Sequence, residues 1–188
     1  MRNHWSTWIP IIAALTSCGT HAPIKPQERL DERTGITIAA LPEPIELVQR
    51  GTLTFNKRMG FAYLGPVEWN RAGNVSYSLW VHVAPGDGAQ VSDLRIPGAA
   101  SIKLDDGFLP MVVVDTPALK NEAYRPAVTW GQSVHFNLGV DTLGRLGSSH
   151  TLELHVLGAD SSPIIFLPSR ADHSSLQDFA VASHATAY

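Results

Sequence analysis

The chain has 188 residues and a formal net charge of −3 at pH 7, from 14 Lys and Arg against 17 Asp and Glu. This slightly acidic balance provides no basic surface for nucleic acid, so nucleic-acid-binding proteins are excluded as a class. A single cysteine leaves no disulfide within the chain, no thiolate zinc site and no iron–sulfur cluster. With 15 Gly, 13 Pro and only 16% charged residues, the composition favours short strands joined by turns over exposed helices.

The first residues have the organisation of a secretory signal. Arg2 supplies a positive charge, residues 9–15 form a short apolar run interrupted by one proline, and small residues follow. The residues Leu15-Thr16-Ser17-Cys18 resemble the lipobox of bacterial lipoproteins. The resemblance implies cleavage just before Cys18 and thioether lipidation of its sulfur. A buried or free cysteine behind an ordinary signal is the alternative.

Lipidation determines how the N-terminal part is divided and where the protein resides. Residues 1–17 are then a signal peptide, and residues 18–28, which contain two prolines and no apolar periodicity, are a flexible lipidated tether. Gly19 stands where lipoproteins of enteric bacteria retained at the inner membrane often carry Asp. The resemblance therefore implies an envelope protein attached to the outer membrane and facing the periplasm.

The remainder of the chain reads as a series of short strands. Apolar residues alternate with polar ones most clearly in residues 75–83, 134–138 and 152–156, which is typical of half-buried strands. Further strands are expected, in chain order, at 34–40, 45–48, 61–69, 91–96, 101–104, 111–114 and 164–167. Asp105-Asp106-Gly107 reads as a hairpin turn, residues 144–149 as a loop, and residues 169–188 as a mostly flexible tail with one helical turn at 176–181.

Strands at this spacing, without a helical period of useful length, predict an all-β fold. We expect an antiparallel β-sandwich of immunoglobulin-like kind over residues 29–168, with a closed barrel as the alternative. Two prolines, Pro42 and Pro44, should bend the chain or place it at a sheet edge, and Gly65-Pro66 should mark a kink or bulge.

Three segments carry a family resemblance. L-D-E-R-T-G-I-T-I at residues 30–38, L-G-P-V-E-W-N-R-A-G at 64–73 and Y-S-L-W-V at 77–81 are similar to segments of a family of uncharacterised proteobacterial lipoproteins. The resemblance covers the first half of the mature domain. It implies a lipid-anchored β-domain and carries no established activity.

Three histidines occupy equivalent positions in the alternating strands. His82, His135 and His155 each stand between apolar neighbours, on the opposite and more polar side of the strand. If their strands adjoin in one sheet, the imidazoles converge and form a site for a transition-metal ion. The alternative is that histidine is simply tolerated on a half-exposed sheet face.

Trp80 is on the same side of its strand as Ser78 and His82. An amphipathic aromatic side chain beside imidazoles can stack on a ligand and hydrogen-bond to it. We therefore expect any small-ligand site on the face that bears Trp80, His82 and His135. Packing of the aromatic side chains within the core is the alternative.

No set of catalytic residues is evident, no cofactor is expected, and the sequence leaves open whether the chain is an enzyme. The preferred hypothesis is a lipid-anchored interaction or structural module of the envelope. It would contact the membrane through the lipid on Cys18 and bind an envelope protein or a cell-wall component. The rival is an envelope metal-binding or small-ligand-binding protein, or an enzyme, that uses the histidine-bearing face.

Overall fold

The computed structural model describes residues 23–51, 58–117, 119, 122–170 and 173–186, without the side chains of residues 184–186. Cys18, the signal peptide and most of the tether lie outside the described residues. The described ranges contain ten strands and two helices. In chain order these are β1 (Gln27–Asp31), β2 (Ile36–Ala40), β3 (Ile45–Gln49), β4 (Phe61–Arg71), β5 (Asn74–Ala84), β6 (Ala100–Leu104), β7 (Gly107–Pro110), β8 (Gln132–Leu138), α1 (Val140–Ser148), β9 (Glu153–Leu157), β10 (Pro163–Pro168) and α2 (Ser174–Thr186).

Every strand pairs antiparallel with its neighbours, so the predicted all-β, antiparallel, sandwich-like fold is confirmed. A continuous hydrogen-bonded path runs β8-β5-β4-β3-β10-β9-β6-β7, and the β1-β2 ladder joins it along β4. The change of partner along β4, from β3 to β2, divides the strands into two groups. One group contains β1, β2, β4, β5 and β8, and the other contains β3, β10, β9, β6 and β7.

Strand β4 is the element on which the topology depends. One of its edges pairs with β5 along its whole length. The other edge is divided between two partners: residues 61–64 pair with β3 and residues 67–70 pair with β2. Gly65 and Pro66 lie at the change of partner, and the chain between β2 and β3 bends where Pro42 and Pro44 occur. A proline lacks the N–H that a ladder needs, so these positions suit a break in pairing.

The segment after β7 connects the two ends of the path. Val113 forms an isolated bridge with Phe136 of β8. The amide of Val114 donates to the carbonyl of His135 at 2.9 Å, and the amide of Asn137 donates to the carbonyl of Val112 at 2.7 Å. The chain therefore leaves β7 at one end of the path and reaches β8 at the other. The segment covers part of the edge of β8.

The core is built by the alternation that the sequence displays. Most apolar members of the alternating strands are buried, among them Leu79, Val81, Val83, Val134, Phe136, Leu154 and Val156, whereas Val75 near the start of β5 is half-buried. Phe166, Leu47 and Ile102 complete this layer from β10, β3 and β6. Because side chains alternate across a strand, one buried face follows directly from the sequence pattern.

Both helices differ from the sequence-based expectation. Residues 144–149 were expected to be a loop, but residues 140–148 form α1, with Leu143 and Leu146 fully buried. The tail was expected to be mostly flexible, but α2 has 13 residues and buries Leu176 and Phe179 completely. The two helices pack closely, since a Cβ added at Gly147 of α1 would lie 2.8 Å from the Cα of Gln177 in α2.

Two smaller expectations are also corrected. Residues 91–96 form turns and one isolated bridge, Val91 with Gly158, instead of a strand. The hairpin at Asp105-Asp106 forms as expected, but the partner of β6 is β7, directly after the turn, and not residues 111–114. Among the described residues, no helix combines the length and the apolar character that crossing a membrane takes.

Candidate functional site

The structure places Trp80, His82 and His135 on one face of two adjacent strands. In the β5–β8 ladder, Trp80 lies opposite His135, and His82 lies opposite Ser133. Residues directly opposite each other in an antiparallel pair project to the same side of the sheet. The adjacency that periodicity alone left open is therefore present for these three residues.

This face is covered by the chain between β7 and β8. Tyr124 lies over it: its hydroxyl accepts from the amide of Leu41 at 2.9 Å and donates to the carbonyl of Pro66 at 2.7 Å. The Tyr124 ring is 5.4 Å from the Trp80 ring, and Trp80 is stacked on His82 at 6.0 Å. Trp80 is only 1% exposed and His82 only 4% exposed, so neither is available to a ligand in this structure.

His82 has both ring nitrogens engaged within the protein. Nε2 lies 3.0 Å from the carbonyl oxygen of Trp130, which can only accept, so Nε2 carries the proton and donates it. Nδ1 then accepts from the hydroxyl of Ser133 at 2.8 Å. Burial lowers the pKa of His82 below its usual value, with the Trp130 carbonyl opposing the shift. The close approach of Trp130 requires Gly131, since its φ is +120° and an added Cβ would lie 2.9 Å from His82 Nε2.

His135 ends a short chain of hydrogen bonds. The indole N–H of Trp69 donates to Ser78 Oγ at 2.7 Å, and the Ser78 hydroxyl donates in turn to His135 Nδ1 at 3.0 Å. Burial lowers the pKa of His135 to about 4, so the imidazole is neutral near pH 7. Ser78 is 2% exposed. The serine and histidine are close enough to resemble a nucleophile and base, but the hydroxyl is enclosed and orients the packing of Trp69.

His155 lies in a different part of the fold. Strand β9 pairs with β6 and β10 and not with β5 or β8. Its Nε2 lies 2.8 Å from Glu153 Oε2, and Phe108 packs edge-on against its ring at 5.1 Å. The same carboxylate is 3.4 Å from Lys103 Nζ and 3.7 Å from Arg50 Nη2.

The converging three-histidine site is therefore wrong. Within the described ranges, no group of three or more His, Cys, Asp or Glu side chains is placed to hold a metal ion. The structure encloses two members of the predicted ligand face, Trp80 and His82, whereas His135 is half-buried. The ligand site on this face stays a prediction.

The structure instead shows an open groove that the sequence did not indicate. Its volume is about 740 Å³, and the described residues of its walls are Ile24, the 41–46 corner, Tyr63, residues 125 and 127, residues 169 and 170, and residues 174 and 175 of α2. Leu41 and Tyr63 are buried at its base, and Pro42, Pro44 and Ile45 add apolar wall. In the sequence, the Pro42-Glu43-Pro44 corner was the one feature that could have indicated this groove, because the other lining residues are far from it along the chain.

Among the described residues, four charged side chains border this groove: Glu43, Glu46, Arg125 and Arg170. All four are exposed. None forms an ion pair with another described residue, whereas Arg58, Lys103 and Arg145 elsewhere do so. The segment carrying Arg170 is held beside β3, because the amide of Ser169 donates to the carbonyl of Glu46 at 2.9 Å. The groove therefore presents two carboxylates and two guanidiniums around an apolar base.

Comparison of the chain with protein-family models, with curated proteins and with solved structures finds no match in any of the three.

Proposed function

We propose that this chain is a lipid-anchored domain of the bacterial cell envelope that acts by binding a partner, as an interaction or structural module. The Leu15-Thr16-Ser17-Cys18 motif supports the anchoring, because a lipobox directs diacylglycerol transfer to the cysteine sulfur. The partner is an envelope protein or a cell-wall component, on the periplasmic side of the outer membrane.

One observation favours a role in binding a partner over a role in catalysis or metal binding. The reactive side chains that the sequence singled out hold the fold together: His82 has both ring nitrogens hydrogen-bonded, and His135 Nδ1 accepts a hydrogen bond from the hydroxyl of the enclosed Ser78. The open groove carries four charged groups that have no ion-pair partner among the described residues. A surface that offers an apolar recess and charges of both signs is suited to recognition.

The anchoring is tested by mass spectrometry of the mature N-terminus. We expect a chain that begins at Cys18 and carries a diacylglyceryl group, and a Cys18→Ser chain that is neither lipidated nor cleaved at this position. An unmodified Cys18 at the end of the wild-type chain, or an intact signal, contradicts the anchored module.

The binding role is tested by crosslinking in intact cells. We expect the wild-type protein, crosslinked and purified from membranes, to carry a defined protein or peptidoglycan fragment that Cys18→Ser loses or retains at lower yield. Recovery of the protein alone, over crosslinkers of several lengths, contradicts the proposal.

A further inference from the structure

The base of the groove carries a tyrosine hydroxyl that has no hydrogen-bonding partner among the described residues and is open to the groove. Tyr63 is 5% exposed, lies opposite Glu46 in the β3–β4 ladder and lines the groove. Its ring contacts His82 at 6.1 Å, but its hydroxyl forms no hydrogen bond with another described residue. The hydroxyl is not among the enclosed polar atoms that lack a partner, so it is reached from the groove and can hydrogen-bond a molecule bound there.

The chemistry of the rim limits which ligands fit. A polyanion would meet Glu43 and Glu46, and a polycation would meet Arg125 and Arg170. A neutral apolar ligand would use the base and leave all four charges without partners. A ligand with a carboxylate, an ammonium and aliphatic groups between them satisfies both signs and covers the apolar base.

We propose that this groove binds a short peptide segment, with a carboxylate held by Arg125 or Arg170 and an ammonium held by Glu43 or Glu46. Tyr63 hydrogen-bonds the peptide backbone, and Pro42, Pro44 and Ile45 contact its aliphatic side chains. The inference deepens the proposed function and rests on it in one respect, that the domain acts by binding. A volume of about 740 Å³ is within the range of roughly 300–1,000 Å³ that pockets for small ligands occupy.

The groove is built on elements that hold its shape. Strand β3 is paired on both sides, with β4 and with β10, so Glu46 projects from a central strand. The amide of Leu41 is held by the Tyr124 hydroxyl at 2.9 Å, and the two prolines restrict the backbone of the corner. Binding to a preformed groove avoids the entropy cost of ordering a loop.

The test is calorimetric titration of the full-length chain, in detergent, with tri-alanine. We expect saturable binding that weakens with added salt, because both proposed end contacts are ionic. N-acetyl tri-alanine amide, which has neither charged end, should bind at least about tenfold more weakly, since charge-assisted hydrogen bonds are the stronger kind. Equal affinity for the two peptides, or no binding of tri-alanine at millimolar concentration, overturns the proposal.

Variants locate the site. Glu46→Gln and Arg170→Gln should each weaken tri-alanine binding by about fivefold or more, and Tyr63→Phe by a smaller factor. Glu32→Gln and Arg33→Gln remove the same charges from the exposed β1–β2 turn and should leave binding unchanged. Binding that all five variants retain places the peptide elsewhere and contradicts the groove.

Binding to phosphatidylethanolamine vesicles is measured as well, because the headgroup of this lipid also carries one positive and one negative charge and could occupy the groove in place of a peptide. Vesicle binding that the groove variants abolish, without tri-alanine binding, makes the groove a membrane contact and overturns the peptide. The lipid on Cys18 and the crosslinked partner are measured separately, so failure of the peptide titration is distinguishable from failure of the proposed function.

Discussion

The ring of Tyr124 occupies the space in which residue 65 would carry a side chain. A Cβ built on Gly65 would overlap the ring carbons of Tyr124, which lie against the backbone of β4 where it passes from β3 to β2. The hydroxyl of the same tyrosine bridges the amide of Leu41 and the carbonyl of Pro66. Glycine at position 65 and tyrosine at position 124 therefore together close the gap between two partners of one strand.

Gly65→Ala should lower the free energy of unfolding by about 1–3 kcal/mol, the usual cost of overpacking a tight interior. Urea denaturation followed by tryptophan fluorescence measures it. The control is the same substitution in a Tyr124→Ala background, where the ring is absent and the added methyl should cost little. Equal costs in both backgrounds would show that the ring is not the obstacle.

Tyr124→Phe keeps the ring and removes two buried hydrogen bonds. It leaves the amide of Leu41 and the carbonyl of Pro66 without their partner, so we expect a loss of about 1–3 kcal/mol in unfolding free energy. Tyr63→Phe is the matched control, because its hydroxyl bonds to no other described residue, and its stability should be nearly that of the wild type. The two variants behaving alike in the same urea titration would contradict the role of the Tyr124 hydroxyl.

His135 should make the fold sensitive to mild acid. Burial lowers its pKa from 6.5 to about 4 in the folded protein, so between these values the unfolded chain binds a proton that the folded chain does not. Stability from this group is present above pH 6.5 and is lost as the pH falls towards 4, by up to about 3 kcal/mol.

The contribution of His135 is isolated by comparing the wild type with His135→Asn, which does not titrate. Urea unfolding at pH 7 and at pH 4.5 should show a smaller loss in the variant than in the wild type. His82, whose pKa is also lowered, and Glu68, whose pKa burial raises, are present in both proteins and cancel in the difference. An identical pH dependence in the two proteins would exclude His135 as the source.

Phe179 fixes α2 to the domain. The side chain is fully buried, so Phe179→Ala should cost about 3–5 kcal/mol in unfolding free energy. Val181→Ala, two residues along the same helix, changes a side chain that is 65% exposed, and should shift stability by no more than about 0.5 kcal/mol. Hydrogen exchange adds a second measurement: amides of α2 that exchange as fast as an unstructured peptide would contradict a packed helix.

The buried face of each strand was predictable from sequence because the alternation of side chains is a local property of the pleat. Val81, Val83, Val134 and Phe136 needed no knowledge of the neighbouring strands. Whether the opposite face of each strand is buried or exposed was not predictable from the alternation. The sequence predicts a half-exposed His82, but Trp130, 48 residues further along the chain, packs against it and bonds to its Nε2.

The helices were missed for a different reason. α1 contains Gly144 and Gly147, residues that weaken an isolated helix, and α2 is rich in Ser and Ala with little amphipathic pattern. Each is stabilised by packing on the other, which no local pattern reports. The groove is still less predictable from local sequence, because its residues come from four separate parts of the chain: Ile24, Tyr63, Arg125 and Arg170.

The position of β1 determines how the domain responds to mechanical load. A pull from the N-terminal side reaches Ile24 first, whose amide donates to Asp178 Oδ2 at 2.8 Å, and then Gln27, which is paired with Ala40 at the open end of the β1–β2 hairpin. Once the Ile24 contact is lost, the pairs of this ladder are loaded one after another, so β1 peels from β2 at low force. The contact of the Arg29 side chain with the carbonyl of Glu122 opposes this release. Strand β4 is held along both edges and resists shear as a unit. If the chain is tethered through Cys18, tension between membrane and partner is first relieved by the release of Ile24 and β1. The groove then loses the wall that Ile24 provides, while the core keeps its shape.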